Sequence, residues 1–242
     1  MKEKKVHLCV FGAHIGDAEV TCGGLICKYT ASGHRATIVH LTPGEKGHPH
    51  LSPEEYRRQK INEAETSAKI MGADVIVLNH KDGELPNNEE VKLEVCDLIR
   101  ELKPDIVVTH WQGSFHKDHR NCHHVVTEGA FYAALPGIKR KKSSHTIKLL
   151  YFAENWEDPY NYQPDIWIDI SQVYENWQKA LRQHALFRGE VSSFDYWRYY
   201  NGLVNMRGAE VGIAQAETFM LPPISRKTCM DFFPMDKPVL IF

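Results

Sequence analysis

Four short apolar segments, each separated from the next by a helix-length stretch of different periodicity, occupy the first half of the chain. Residues 6–13 form a continuous apolar run leading into His14, and Arg35–Thr42, 74–78 and 105–110 are of the same kind. Runs of this length suit strands buried on both faces of a parallel sheet. Between them, residues 17–32 read as a helix closed by Gly33. Pro53–Met71 carries an N-cap serine (Ser52), proline at the first helical position and acids in the first turn, and Gly72 ends it. Glu89–Leu102 is a third helix. Such alternation builds βαβ units with helices on both faces. The expected fold is a doubly wound, mostly parallel α/β sheet, Rossmann-like, whose ligands bind beyond the carboxyl ends of the strands.

Past Ala134 the pattern loosens. Residues 148–153 and 165–170 read as strands and 172–187 as a helix, followed by a Tyr- and Trp-rich stretch at 194–200. With no repeat, linker or low-complexity tract, residues 1–242 are expected to form one domain with a C-terminal elaboration.

A formal net charge of −2 leaves no excess to attract a phosphate backbone or an anionic bilayer, so neither nucleic acid nor stable membrane association is expected. No run is long and apolar enough to span a membrane, and Met1 to Lys5 lead into no signal-type apolar segment. Six scattered cysteines form no Cys-x-x-Cys pair. A cytoplasmic protein with free thiols is the expectation.

Two clusters carry chemistry. In the first, His14 and Asp17 stand three apart where strand one turns into helix one, a spacing that places both side chains on one face of a helical turn. An imidazole with a carboxylate suits zinc, with iron(II) and manganese as alternatives. A carboxylate at a helix N-terminus is also stabilised with no metal at all. The second cluster, His116-Lys117-Asp118-His119, follows the strand that ends at His110. Two histidines flanking an aspartate can divide the labour, one ligating metal while the other, oriented by the carboxylate, handles protons. Three ligands with an open fourth position make a catalytic centre.

The motifs Gly12-Ala13-His14-x-x-Asp17-x-Glu19, Cys22-Gly23-Gly24 and His116-x-Asp118-His119, in this order, resemble those of the LmbE-like (PIG-L) family of zinc-dependent N-deacetylases. So do Leu41 to Gly47, Asp82-Gly83-Glu84-Leu85, Asp169-Ile170-Ser171, Lys179, His184, Arg207-Gly208 and residues 216–219. The resemblance implies that His14, Asp17 and His119 hold zinc or another divalent transition metal. It further implies that His116 stabilises or protonates the tetrahedral intermediate and that Asp118 orients it. The implied substrate is a small N-acetylated amino sugar, and a homo-oligomer fits such enzymes.

The chain departs from the pattern at two places. Ile15 and Gly16 stand where the family carries Pro and the aspartate that serves as general base, and Ala185-Leu186-Phe187 replaces the Ser-Gln expected after His184. His116, Asp118, Glu45 and Asp82 are the candidate replacements for the base, and an aspartate restored at position 16 is expected to raise turnover. The competing class is a degenerate relative that binds metal and sugar without hydrolysis. Trp111, Phe115, Trp156, Tyr160 and Tyr162 are candidates for stacking on a sugar ring.

Overall fold

The computed structural model describes residues 5–226. In chain order the elements are β1 (His7–His14), α1 (Asp17–Ala31), β2 (Arg35–Thr42), α2 (Pro53–Met71), β3 (Asp74–Val77), α3 (Glu89–Leu102), β4 (Ile106–His110), α4 (Lys117–Ala134), β5 (Leu149–Ala153), β6 (Ile166–Asp169), α5 (Tyr174–Leu181), α6 (Tyr196–Ala209) and β7 (Ala216–Met220). One seven-stranded sheet runs in the order β3-β2-β1-β4-β5-β7-β6. β3 to β5 are mutually parallel along that order, and β7 is antiparallel to both its neighbours.

Strand alternation sorts β1 into two cores. Leu8 and Val10 pack with Cys22, Ile26, Ala68 and Met71 of α1 and α2. Cys9 and Phe11 pack on the other face with Val95, Ile99, Val125 and Val126 of α3 and α4. Burial of each such side chain contributes about 1.5–3 kcal/mol, and burial on both faces explains why these strands read as unbroken apolar runs. α2 begins with the reciprocal Ser52–Glu55 capping box and ends at Gly72, as the sequence implies.

The second half differs from the sequence expectation. The helix expected at 172–187 is only α5; after Leu181 the amides of Gln183 and His184 bond to carbonyls three residues back, and the chain coils inward to bury His184, Ala185 and Phe187. α6 and β7 are additional elements. α5 is held against α1 by Gly23, where a Cβ would stand 2.5 Å from the Trp177 ring, and by Trp177 Nε1 donating to the Glu19 carbonyl at 2.9 Å.

The strand order reverses between β1 and β4, which is where a doubly wound sheet opens a crevice. β1 delivers His14 to that crevice and β4 delivers His110. Cys9, Cys22, Cys27, Cys96 and Cys122 are buried free thiols, while Cys229 lies outside the described residues. Among the described residues no helix is long and apolar enough to cross a membrane.

Candidate active site

Asp17 is the focus of the crevice. It is the first residue of α1, and its Oδ2 accepts the His14 backbone N–H at 2.8 Å. The same oxygen lies 3.3 Å from His14 Nδ1, 3.3 Å from His119 Nε2 and 3.2 Å from His110 Nε2. The three residues singled out as ligands therefore converge from two loops onto one point. Metal–ligand bonds of about 2.0–2.1 Å put neighbouring tetrahedral donors about 3.3 Å apart, which the two histidine–Asp17 separations match; among the described residues the side chains that cluster closely enough to hold an ion are His14 with His116 and His119, Asp17 with His110 and His119, and His14 with Asp82 and Asp118.

The far nitrogens of both histidines are also engaged. His14 Nε2 lies 3.3 Å from Asp118 Oδ2 and 3.3 Å from Asp82 Oδ1. His119 Nδ1 lies 3.3 Å from Ser114 Oγ and 3.4 Å from Glu157 Oε2. Metal-ligating histidines are characteristically held this way by carboxylates and hydroxyls behind them. His110 stacks on His119 with ring centroids 4.2 Å apart, so the His119 ring is also fixed from the side.

Asp118 is fully buried, and its carboxylate accepts the amides of Gly83 at 2.7 Å and Leu85 at 3.3 Å. The carboxylate thus orients His14, whereas the resemblance assigned it to His116. Asp118 reaches His116 only through its backbone N–H, which donates to His116 Nδ1 at 3.2 Å as part of the α4 N-cap. A nitrogen that accepts an N–H carries no proton, so a neutral His116 holds its proton on Nε2.

Electrostatics follow from these contacts. Burial opposes charge on His14, but hydrogen bonds to Asp118, Asp17 and Asp82 override it and hold its pKa well above the ordinary value. Burial likewise opposes charge on Asp17, yet His119, His110 and His14 keep it well below the carboxylate range. Burial pushes His119 down to about 3, and burial with the His14 charge lowers His116. In the metal-free protein a protonated His14 is thus the cation among three carboxylates, and a metal ion would displace that proton.

A cavity of about 270 Å³ opens beside these groups, and His14, Asp17, Asp82, His116, His119, Glu157, Tyr196 and Phe187 are among its lining residues. Gly16 adopts φ 108°, a left-handed conformation that side chains resist, and its Cβ would stand 3.6 Å from the Phe187 ring. The turn therefore lacks both a carboxylate and a backbone suited to one, which argues against the expectation that restoring aspartate raises turnover.

Of the candidate replacement bases, Glu45 is tied to the Asp82 amide, Asp82 to His14 and the Lys46 amide, and Asp118 to two amides. Sequence reasoning missed Glu157. Burial raises its carboxyl to about 7, and its Oε2, 3.4 Å from His119 Nδ1, makes no hydrogen bond among the described residues. No motif marks it, because a long-range set of contacts presents it: Phe115 N–H bonds to its carbonyl, and Asn155, held by the Tyr200 hydroxyl, accepts its N–H. Of the candidate stacking aromatics only Trp156 lines the cavity; Trp111 is buried with its Nε1 on the Tyr160 carbonyl, and Tyr162 is bonded to Thr218. His123, one helical turn beyond His119, bonds to the His110 carbonyl and takes no part in the site.

Residues 9–130 match the family described as GlcNAc-PI de-N-acetylase (PIG-L). The chain is 32% identical over 211 residues to diacetylchitobiose deacetylase of Thermococcus kodakarensis, covering 81% of this chain and 74% of the relative. It is 22% identical over 224 residues to 4-oxalmesaconate hydratase of Pseudomonas putida, covering 87% and 84%. The fold superposes on the N,N'-diacetylchitobiose deacetylase structure from Pyrococcus horikoshii with a TM-score of 0.78 at 24% identity, over 90% of this chain and 84% of that one.

Proposed function

On the premise that this chain belongs to the PIG-L family of de-N-acetylases, we propose that it is a zinc-dependent hydrolase that removes acetate from an N-acetylated amino sugar. The observation that carries the reading is the convergence of His14 Nδ1 and His119 Nε2 on Asp17 Oδ2, each at 3.3 Å, beside a sugar-sized cavity. His14, Asp17 and His119 hold the metal in this reading. A bound zinc ion lowers the pKa of water to about 7 and polarises a carbonyl.

The chain's own groups divide the remaining work. His116, kept neutral by burial, directs its Nε2–H at the acetyl oxygen as negative charge develops there. Glu157 has a pKa near the operating range of a general base. It takes the proton released as water adds to the carbonyl carbon and returns it to nitrogen as the C–N bond breaks, leaving acetate and a free amine. Asp118 positions both histidines at once, His14 through its carboxylate and His116 through its backbone N–H.

The test is acetate release from N-acetylglucosamine and diacetylchitobiose by zinc-loaded protein, with a chelator-stripped control. Metal-dependent acetate release supports the reading. Full metal loading without acetate, together with water addition to an unsaturated acid, would move the assignment to the chemistry of the hydratase relative.

A further inference from the structure

His14 is the last residue of β1, and Ile15 and Gly16 make the turn that leads from it into α1. Gly16 has φ 108°, and glycine gives up more backbone freedom on ordering than any other residue. With glycine in place of the family's aspartate and isoleucine in place of its proline, this turn has more freedom to lose. Something must hold it if the His14 ring is to meet a metal in one orientation.

A buried pair supplies that hold. His40 lies in β2 opposite Gly12 of β1, and its own carbonyl accepts the Leu78 N–H at 2.8 Å, so its backbone is fixed inside the sheet. By strand alternation its side chain falls on the face where Ala36 and Ile38 pack with residues of α1 and α2. That position calls for an apolar side chain, yet it holds a fully buried imidazole with both ring nitrogens committed. Nδ1 lies 3.1 Å from the His14 carbonyl oxygen, and since a carbonyl only accepts, Nδ1 carries the proton and donates it. Nε2 lies 3.1 Å from Oε1 of Glu19, which is also fully buried, and Glu19 Oε2 accepts the Gly16 N–H at 3.1 Å.

These bonds close a ring that runs from the His14 carbonyl through His40 and Glu19 to the Gly16 amide. Both ends of the Ile15 turn are thereby tied to the neighbouring strand. The His14 N–H is held as well, by Asp17 Oδ2 at 2.8 Å, so both polar groups of the His14 backbone have fixed partners. Neither His40 nor Glu19 is among the residues lining the cavity, and any effect on the chemistry runs through His14.

Resting on the reading of His14 as a metal ligand, we propose that His40 is a positioning residue for the metal: its Nδ1–H, braced by Glu19, holds the His14 carbonyl and so presets the ligand that the loosened turn would otherwise leave free. Hydrogen-bonding groups behind a metal ligand act this way on affinity.

Two variants carrying the same amide separate this role from a purely structural one. His40→Asn places an N–H where Nδ1 stands and can still donate to the His14 carbonyl. His40→Gln moves the amide one methylene further, to the place of Nε2, and keeps only the Glu19 side. Zinc dissociation constants are measured by chelator competition on protein that circular dichroism shows to be folded. His40→Gln is expected to bind zinc roughly 10- to 100-fold more weakly than the parent, the usual effect of losing such a group, while His40→Asn keeps most of the affinity. The visible bands of the cobalt-substituted proteins should match between parent and His40→Asn and shift in His40→Gln. Cutting the buried network lowers the melting temperature of both variants, so stability alone does not produce this ordering. His40→Leu, which lacks the donor too, replaces His40→Gln if that variant does not fold. Equal zinc affinity in parent and variants overturns the proposal, as does an affinity that survives in His40→Gln and falls in His40→Asn. A parent that holds no zinc removes the metal reading itself, and the proposal falls with it.

Discussion

The Phe187 ring stands 3.6 Å from where a Cβ on Gly16 would be, so the chain's two departures from its family's pattern meet in space. One removes a carboxylate from the turn after β1, and the other places an aromatic ring against the vacated position. The paired change argues for a rebuilt site with its proton acceptor elsewhere.

Gly16→Asp is therefore expected to give no gain in deacetylation. Its φ of 108° costs a non-glycine residue about 1 kcal/mol or more. Thermal unfolding and acetate release on metal-matched samples check this. A faster Gly16→Asp enzyme would show that the turn readily returns to the family's geometry.

His116→Ala should keep the metal and lose about 10²–10³ in kcat, the usual cost of removing one donor to a developing oxyanion. Loss of metal along with activity would make His116 a ligand, a role its ring could reach, since it lies 4.8 Å from the His14 ring and 4.7 Å from that of His119.

Glu157→Gln should lower turnover at neutral pH by about 10²–10⁴, the range of general acid–base catalysis. It also carries a stability signature in metal-free protein. Burial raises the folded-state carboxyl to about 7 from an ordinary value of 4.5. The favourable neutral form is fully populated below about pH 4.5, and its contribution is lost as pH rises through about 7. The melting temperature of Glu157→Gln should thus gain on the parent between pH 5 and pH 8; a constant difference would show that Glu157 titrates normally.

Much of the first half of the fold is legible because local signals and tertiary structure agree there. Arg35–Thr42, Pro53–Met71 and Glu89–Leu102 match β2, α2 and α3 end to end, since apolar runs, Ser52, Pro53 and Gly72 act within a few residues. α5 stops short of the expected Phe187 because burying His184 and Phe187 takes precedence over continuing the helix. β7 is short, and it is defined by pairing with β5 and β6 across the chain. In the site, His14, Asp17, His116, Asp118 and His119 are visible because they sit in spaced motifs on two adjoining loops. Glu157 and His40 are not, since one is delivered by a loop pinned from afar and the other sits within an apolar strand.

The central claim is that His14, Asp17 and His119 together hold one catalytic metal ion. Elemental analysis of purified parent, Asp17→Asn and His119→Ala after equilibration with limiting zinc tests it most directly. The parent should retain about one zinc per chain, as a three-ligand site does, and each variant should retain far less while still folded by circular dichroism. Equal zinc in all three proteins would contradict the account.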